Sequence, residues 1–291
     1  MVDQPFSSVP GRGIPRPGHE PVTAPGGPAD HRRASEGQLL AALRARDLLA
    51  LAEAWQRSAP AAHAVARRLM GPGEELERLL ASVYGELWEA PPAGGPLERW
   101  ARMRTFALGA AALERRGAAP AAPSVRLLLP QLPPSTRPAG DPVERVIAEL
   151  PPDTAVALLR AHDAGVPAAE QEHPQAPALL EAALEALARH TVGAEEAAGA
   201  GPYAEPLGDL VLGLSPNAQD STVQERMLAE PVLADRVRFL RRGRRRLEGL
   251  PPAPDLGPRV LLGVVARQQA APAPRPPREP YDPAGTEDDV V

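Results

Sequence analysis

The chain contains no cysteine, which excludes disulfide bonds, thiolate metal sites and a cysteine nucleophile. It also contains no lysine, so all 32 of its basic side chains are arginines. Aromatic residues make up only 3% of the chain, so its core must be built from leucine, alanine and valine. Because small side chains bury little area each, we expect modest stability.

Long apolar runs are also missing. No run reaches the roughly 18 residues that a membrane-spanning helix needs, and the N-terminus lacks the apolar core of a signal peptide. We therefore predict a cytoplasmic protein with no membrane partner. The formal net charge of -5 argues against nucleic-acid binding through bulk charge, so any such activity must be local.

Proline and glycine, by contrast, are abundant and clustered. The chain has 38 prolines and 25 glycines, concentrated in residues 1–33, 118–140 and 268–291. Such segments cannot bury enough apolar surface to offset chain entropy. We therefore predict disordered tails at 1–33 and 268–291 and a disordered linker at 118–140.

The rest of the chain shows apolar residues at helical spacing and no alternating strand pattern, which predicts an all-α protein. Residues 34–117 should form one small helical domain. Its four helices are predicted at 35–58, 61–70, 74–88 and 97–116. Ser35 and Gln38 have the spacing of a capping box, Pro60 separates the first two helices, and Gly117 ends the fourth.

Two further helical units are expected after the linker. The unit at 141–192 should contain two helices broken at Pro151 and Pro152, followed by a helix at about 178–190. The unit at 203–267 should contain a short helix, one or two longer ones and a last helix near 256–268.

No set of residues has the spacing of a catalytic or metal site. The histidines are scattered and form no HExxH pattern, and no nucleophile elbow or phosphate-binding loop follows a strand. We therefore predict a protein that is not an enzyme and that uses no cofactor or metal.

Three stretches carry a resemblance to a known family. RRLMGPGEELERLLASVYGELW, at 67–88, resembles without a gap the docking-helix region of small sigma factors of the extracytoplasmic-function type, in which RLLG precedes GDxxDAEDLxQEVFLRLW. The helix with Trp100, Leu108 and Arg115 is similar to the family's WLxxIARNLALDxLRR. LPPDTAVALLRAHDAG, at 150–165, resembles the family's LPPxxRxVLxLRYxEG.

The resemblance implies a region 2-like domain at 34–117 that docks on the RNA polymerase core and melts promoter DNA. It implies a degenerate region 4-like helix-turn-helix domain at 141–192. The polymerase-docking candidates are Glu77, Leu79, Val83, Tyr84, Leu87 and Trp88. The DNA-binding candidates in the first domain are Trp100, Arg104, Arg115 and Arg116.

Several positions depart from the family pattern. The acidic and Gln-Glu positions of the docking helix are Arg78, Ala81 and Ser82 here, and one of these changes reverses a charge. The recognition helix presents Glu181 and Glu185, which phosphates repel. These departures predict weakened promoter recognition and an altered docking rim.

A cluster of arginines occupies residues 236–246. Its DNA-binding candidates are Arg241, Arg242, Arg244, Arg245 and Arg246. Such a cluster can contact a nucleic-acid backbone. Alternatively, it is a solvated helix face that pairs with acidic partners such as the segment 167–186.

Residues 207–242 carry a second resemblance, to the N-terminal domain of zinc-finger anti-sigma factors. The family's histidine and two cysteines fall near Arg226, Glu230 and Leu233, so no zinc site is expected in this chain. The resemblance implies an anti-sigma-like unit that contacts the region 2-like domain and masks its docking face.

We therefore predict a sigma-factor-like transcription regulator that binds the RNA polymerase core or a regulatory partner, with weak binding to promoter DNA. One alternative is a functional sigma factor that directs transcription initiation through DNA contacts such as those of the arginine cluster. The other is a protein-interaction scaffold that does not bind polymerase. The apolar stripe at 76–88 is either an ordinary core face or a docking face.

Overall fold

The computed structural model describes residues 31–131, 141–190, 201–215, 221–248 and 252–270. All regular structure in these ranges is helical, with no strand among them, which confirms the all-α prediction. Within the same ranges, no helix is both long and apolar enough to cross a bilayer. Of the predicted tails at 1–33 and 268–291 and the predicted linker at 118–140, residues 1–30, 271–291 and 132–140 lie outside the described residues. Two parts of the predicted tails are helical instead: His31–Arg33 form a 3-10 helix, and residues 268–270 belong to the last α-helix.

Eleven α-helices are present in the described part of the chain. The first seven are α1 (Glu36–Arg44), α2 (Leu48–Met70), α3 (Glu74–Glu89), α4 (Leu97–Arg116), α5 (Pro142–Glu149), α6 (Pro152–His162) and α7 (Ala176–Arg189). The last four are α8 (Gly208–Leu212), α9 (Ser221–Ala229), α10 (Pro231–Glu248) and α11 (Leu256–Ala270). Short 3-10 helices occur at His31–Arg33, Pro123–Leu127 and Ala168–Glu170.

The boundary between α1 and α2 differs from the prediction. The capping box is confirmed, because Ser35 and Gln38 exchange side-chain and backbone hydrogen bonds. The helix predicted at 35–58 is nevertheless interrupted, since Arg46 adopts a φ of 63°. The Asp47 carboxylate then accepts a hydrogen bond of 2.8 Å from the Leu49 N–H and begins a new helix.

Pro60 does not separate two helices, because α2 runs through it. A proline in a helix interior removes one hydrogen bond and crowds the preceding turn. Here Ala59, Ala61 and Ala62, on both sides of Pro60, are at most 1% exposed. Burial along the whole helix therefore outweighs the local cost.

Two hydrophobic cores organise the described part of the chain. Core 1 joins α1–α4 to Val125 and to one face of α11, with Leu256, Val260 and Val264 as the members from α11. Core 2 joins α5–α7 to α8 and α10. The segment 203–267, predicted as a unit by itself, is therefore divided: α8 and α10 belong to core 2 and α11 to core 1.

Part of the predicted linker is packed rather than disordered. The N–H groups of Ala121 and Ala122 donate to the carbonyls of Leu69 and Arg68, at 2.9 and 2.8 Å. These carbonyls lie in the last turn of α2, where a helix has no internal donor for them. Val125 is fully buried. The segment 118–131 thus closes the end of α2 before the chain enters core 2.

Candidate functional site

The apolar docking candidates of α3 lie inside core 1. Of the six candidates, five are at most 8% exposed, and these are Leu79, Val83, Tyr84, Leu87 and Trp88. The Tyr84 hydroxyl bonds to Ser58 Oγ at 2.8 Å, and burial raises the pKa of Tyr84 well above its usual range. These five side chains therefore hold α3 in the core and offer a partner little surface while α3 stays packed.

Part of the polar side of α3 is covered by α11. We call Glu77, Arg78, Ala81 and Ser82 the α3 rim, since they occupy the positions where the family resemblance places polar docking groups. Arg259 of α11 pairs with Glu77 at 3.0 Å, and Arg267 donates to Ser82 Oγ at 3.3 Å.

Between these two contacts, Gly263 of α11 faces the rim residue Ala81. A Cβ added at Gly263 would lie 3.9 Å from the Cβ of Ala81. Because Ala81 is only 7% exposed, this close approach leaves a partner no access to it. Three of the four rim residues thus contact the chain's own last described helix.

The DNA candidates of the first domain are dispersed. Trp100 packs against core 1 and is only partly exposed. Arg104 forms an ion pair with Glu86, with Nη2 to Oε1 at 2.8 Å, and Arg116 pairs with Glu75. Arg115 is exposed, and its Nε donates to the carbonyl of Ala111 at 3.2 Å. Of the three arginines, only Arg115 points to solvent without an ion pair among the described residues.

The recognition-helix positions of α7 are covered by α10. Arg236 is 4% exposed, and its Nη2 donates to Glu181 at 2.8 Å and to Glu185 at 2.7 Å. The two helices touch closely at Gly243, where a Cβ would lie 2.1 Å from the carbonyl oxygen of Leu184. The two glutamates that would repel phosphates are therefore internal counterions of an arginine.

The arginine cluster of α10 divides in the same way. Arg244 donates to Glu248 at 2.7 Å and to the carbonyl of Val211 at 3.1 Å, and it also pairs with Glu98 of α4. Arg241 and Arg245 are exposed, while Arg242 and Arg246 are partly exposed. Two residues of the cluster, Arg236 and Arg244, thus act as structural cations, and Arg236 meets the acidic segment that the sequence named as an alternative partner.

A buried charged junction, which the sequence did not indicate, joins the two cores. We define the junction as Arg68 of α2, Arg102 of α4, Glu144 of α5, and His162 and Asp163 at the end of α6. Arg68 binds Asp163 through two hydrogen bonds of 2.9 and 2.5 Å and donates to the carbonyl of Leu247 at 3.2 Å. One arginine therefore links α2, the end of α6 and α10.

Burial sets the protonation states in the junction. Burial opposes ionisation of Asp163, but the charge of Arg68 and the hydrogen bond from His162 hold its pKa well below the usual range. Burial, followed by the charge of Arg102, lowers the pKa of His162 to about 3. Burial also raises the pKa of Glu144. Since His162 is neutral and Asp163 accepts at 2.6 Å from Nδ1, the proton of the imidazole is on Nδ1.

The junction is incompletely satisfied. Among the described residues, no hydrogen-bond partner is present for His162 Nε2, Glu144 Oε1 or two guanidinium nitrogens of Arg102. A buried polar atom without a partner costs about 1–3 kcal/mol. The charged junction therefore stabilises the contact between the two cores less than apolar packing would. Its stability depends on each buried charge keeping its partner.

The buried imidazole makes stability depend on pH. The unfolded chain binds a proton at His162 near pH 6.5, whereas the folded chain does so only near pH 3, so acid favours unfolding. Between about pH 7.5 and about pH 5.5, His162 should account for a loss of about 1 kcal/mol in the free energy of unfolding. Urea denaturation at the two pH values, for the wild type and for His162→Asn, measures this difference.

The comparison isolates His162 from the other acidic groups. Glu144, whose raised pKa makes acid stabilising, and Asp163, whose lowered pKa matters only in stronger acid, are present in both proteins. His173→Asn changes an exposed histidine and serves as the matched control. Equal pH dependence in the wild type and in His162→Asn would contradict a neutral, buried imidazole.

The described geometry thus has three features of functional interest: α11 on the α3 rim, α10 on α7, and the charged junction between the cores. All three depend on contacts between residues far apart in the chain, such as Arg68 and Asp163 at a separation of 95. Local sequence patterns carry no signal for such pairs. No protein family, curated protein or solved structure matches the chain.

Proposed function

We propose that the chain is a sigma-factor-like transcription regulator of the cytoplasm that binds the RNA polymerase core, or a regulatory partner, through the α3 rim. It acts by binding and not by catalysis. Its own helices α10 and α11 cover the faces of α7 and α3, so promoter recognition is weak and polymerase binding is gated. The observation that supports the proposal most directly is the pair of contacts between α11 and the rim. Arg259 forms an ion pair with Glu77, and Arg267 donates a hydrogen bond to Ser82.

The contacts that hold α11 on α3 are weak enough for a binding partner to displace the helix. The Arg259 and Glu77 side chains are 53% and 32% exposed, and ion pairs at such positions contribute at most about 1 kcal/mol. The fully buried apolar residues of α11 in core 1 are Leu256, Val260 and Val264, each worth about 1.5–3 kcal/mol, and Leu261 adds a partly buried contact. Binding of a micromolar partner provides about 8 kcal/mol, a comparable amount.

The cover formed by α10 is tighter. Arg236 is bound to two glutamates of α7 and almost fully buried, and the backbones approach closely at Gly243. Removing one partner of a buried charge pair costs several kcal/mol, so α10 should stay on α7 when α11 leaves α3. This difference supports a regulator that docks on polymerase more readily than it reads a promoter.

A wedge at Gly263 tests the proposal on the full chain. An alanine fits there, because its Cβ would lie at ordinary contact distance from Ala81, whereas a phenylalanine would push α11 away from α3. We expect Gly263→Phe to capture several-fold more RNA polymerase core than the wild type in a pull-down. Gly263→Ala should behave as the wild type, and so should Leu262→Phe, because Leu262 is 68% exposed on the neighbouring position.

The outcomes separate the alternatives. Circular dichroism first establishes that each variant keeps its helical content. Polymerase capture together with run-off transcription would indicate a functional sigma factor instead, and capture of a different protein without polymerase would indicate an interaction scaffold. Failure of every variant, including Gly263→Phe, to bind polymerase core would refute the docking role of the rim.

A further inference from the structure

A groove between α3 and α4 remains open beside the contact with α11. It encloses about 320 Å³ and combines an apolar floor with a basic rim. The floor includes Leu79, Leu108 and Ala112. The rim carries Arg78, Arg115 and Arg116 and one carboxylate, that of Glu75, so its net charge is positive. This combination suits a ligand that presents carboxylates and aliphatic side chains together.

The basic groups of the groove are held by weak contacts. Arg78 pairs with Glu74 at 2.5 Å, but the two side chains are 62% and 76% exposed. Arg116 pairs with Glu75, and these side chains are 41% and 51% exposed. Exposed ion pairs of this kind contribute little, so a ligand with several carboxylates can compete for the arginines. Arg115, whose Nε donates to the carbonyl of Ala111, adds a further cation.

Residues near the C-terminal end of the sequence have the complementary chemistry. Residues 286–291 read Thr-Glu-Asp-Asp-Val-Val, with three carboxylates next to two valines. They lie outside the described part of the chain. The start of the connecting segment is close to the groove, because Arg267 in the last turn of α11 bonds to Ser82, which lines the groove.

The connecting segment is also long enough. Sixteen residues separate Ala270, where α11 ends, from Glu287. A chain can span at most about 3.3–3.6 Å per residue, so this segment reaches well beyond the length of α4. A tethered segment has an effective concentration in the millimolar range, which lets even a weak contact be populated.

We propose that residues 287–291 of this chain bind in the α3–α4 groove. In this pairing, the carboxylates of Glu287, Asp288 and Asp289 would neutralise Arg78 and Arg115, and Val290 and Val291 would cover the apolar floor. A nucleic-acid backbone is the less suitable occupant, because phosphates gain nothing from the leucines of the floor. The inference does not depend on polymerase binding.

The lack of native cysteine allows a direct test on the full chain. A single cysteine introduced by Thr286→Cys carries a benzophenone crosslinker, and mass spectrometry maps where it reacts after illumination. We expect crosslinks within the same chain to α3 and α4. The yield should fall several-fold in Arg115→Glu and stay unchanged in the matched control Arg245→Glu, which changes an exposed arginine of α10.

A charge swap completes the test. Asp288→Arg combined with Arg115→Glu should restore the crosslinks that Arg115→Glu alone removes. Crosslinks to other helices, crosslinks unaffected by Arg115→Glu, or crosslinks mainly between two copies of the chain would each overturn the proposal. Because the readout involves no polymerase, failure here is distinguishable from failure of the docking role of α3.

Discussion

Replacing Arg68 by alanine is expected to lower the free energy of unfolding by about 3–5 kcal/mol, the range for breaking a buried ion pair from one side. The side chains of Arg68 and Asp163 are 6% and 1% exposed, so solvent cannot take the place of the arginine. Asp163 keeps its hydrogen bond from His162 but loses its counterion, and the carbonyl of Leu247 loses a donor. Urea denaturation followed by circular dichroism measures the effect.

The neighbouring arginine provides the control. Arg67 is on the same helix, its side chain is 42% exposed, and its nearest carboxylate, Asp141, is at 3.9 Å. Arg67→Ala should therefore change the free energy of unfolding by no more than about 0.5 kcal/mol. Adding Asp163→Asn to Arg68→Ala should recover part of the loss, because it removes the uncompensated charge. Equal effects of Arg67→Ala and Arg68→Ala would show that the junction contributes no stability.

Replacing Gly243 by alanine is expected to cost about 1–3 kcal/mol, and more if α10 cannot shift. The added Cβ would lie 2.1 Å from the carbonyl oxygen of Leu184 and 3.3 Å from the amide nitrogen of Ala188. Both are backbone atoms of α7, so no side-chain rotation relieves the overlap. α10 must move away from α7, which also weakens the contacts of Arg236.

Replacing a glycine on α3 should have the opposite effect on stability. Gly85 has no atom within 4 Å of an added Cβ. Gly85→Ala should stabilise the chain by about 0.5–1 kcal/mol, through the higher helix propensity of alanine. The melting temperatures of the two variants should therefore move in opposite directions. A stabilising Gly243→Ala would mean that α10 and α7 are not in close contact.

The Gly243 variant also bears on promoter reading. Even if α10 moves, α7 still presents Glu181 and Glu185 to any DNA placed against it. We therefore expect no gain in DNA binding from Gly243→Ala, in contrast to the gain in polymerase binding expected from Gly263→Phe. A gel-shift assay with genomic fragments checks this difference.

Much of the helical content was predictable from local patterns. The bounds of α4, its end at Gly117 with a φ of 58°, and the break before α6 depend on periodicity, capping and proline chemistry close in the chain. The errors at Arg46 and Pro60 have different causes. At Pro60, burial of α2 against core 1 outweighed the local preference on which the prediction depended. At Arg46, a left-handed backbone followed by the Asp47 cap interrupts the helix, and the leucine periodicity did not reveal this break.

The candidate site was less predictable. The sequence marked α3 as an amphipathic helix with an altered rim, and that description agrees with its buried stripe and its polar positions. It did not reveal that Arg259 and Arg267 would meet this rim, or that Arg236 would neutralise the two glutamates of α7. When two opposite charges lie far apart in the chain, their sequence positions do not indicate whether they meet in the fold.

The sequence by itself determined the helical class, the absence of disulfides and thiolate sites, and the positions where most helices begin and end, because periodicity, composition and caps act over a few residues. Only the tertiary structure decided that α11 joins core 1, that α10 joins core 2, and that Arg68 and Asp163 meet between them. The physical reason is that burial and charge pairing depend on which helix faces meet. A helix with one apolar stripe can bury that stripe against many different partners.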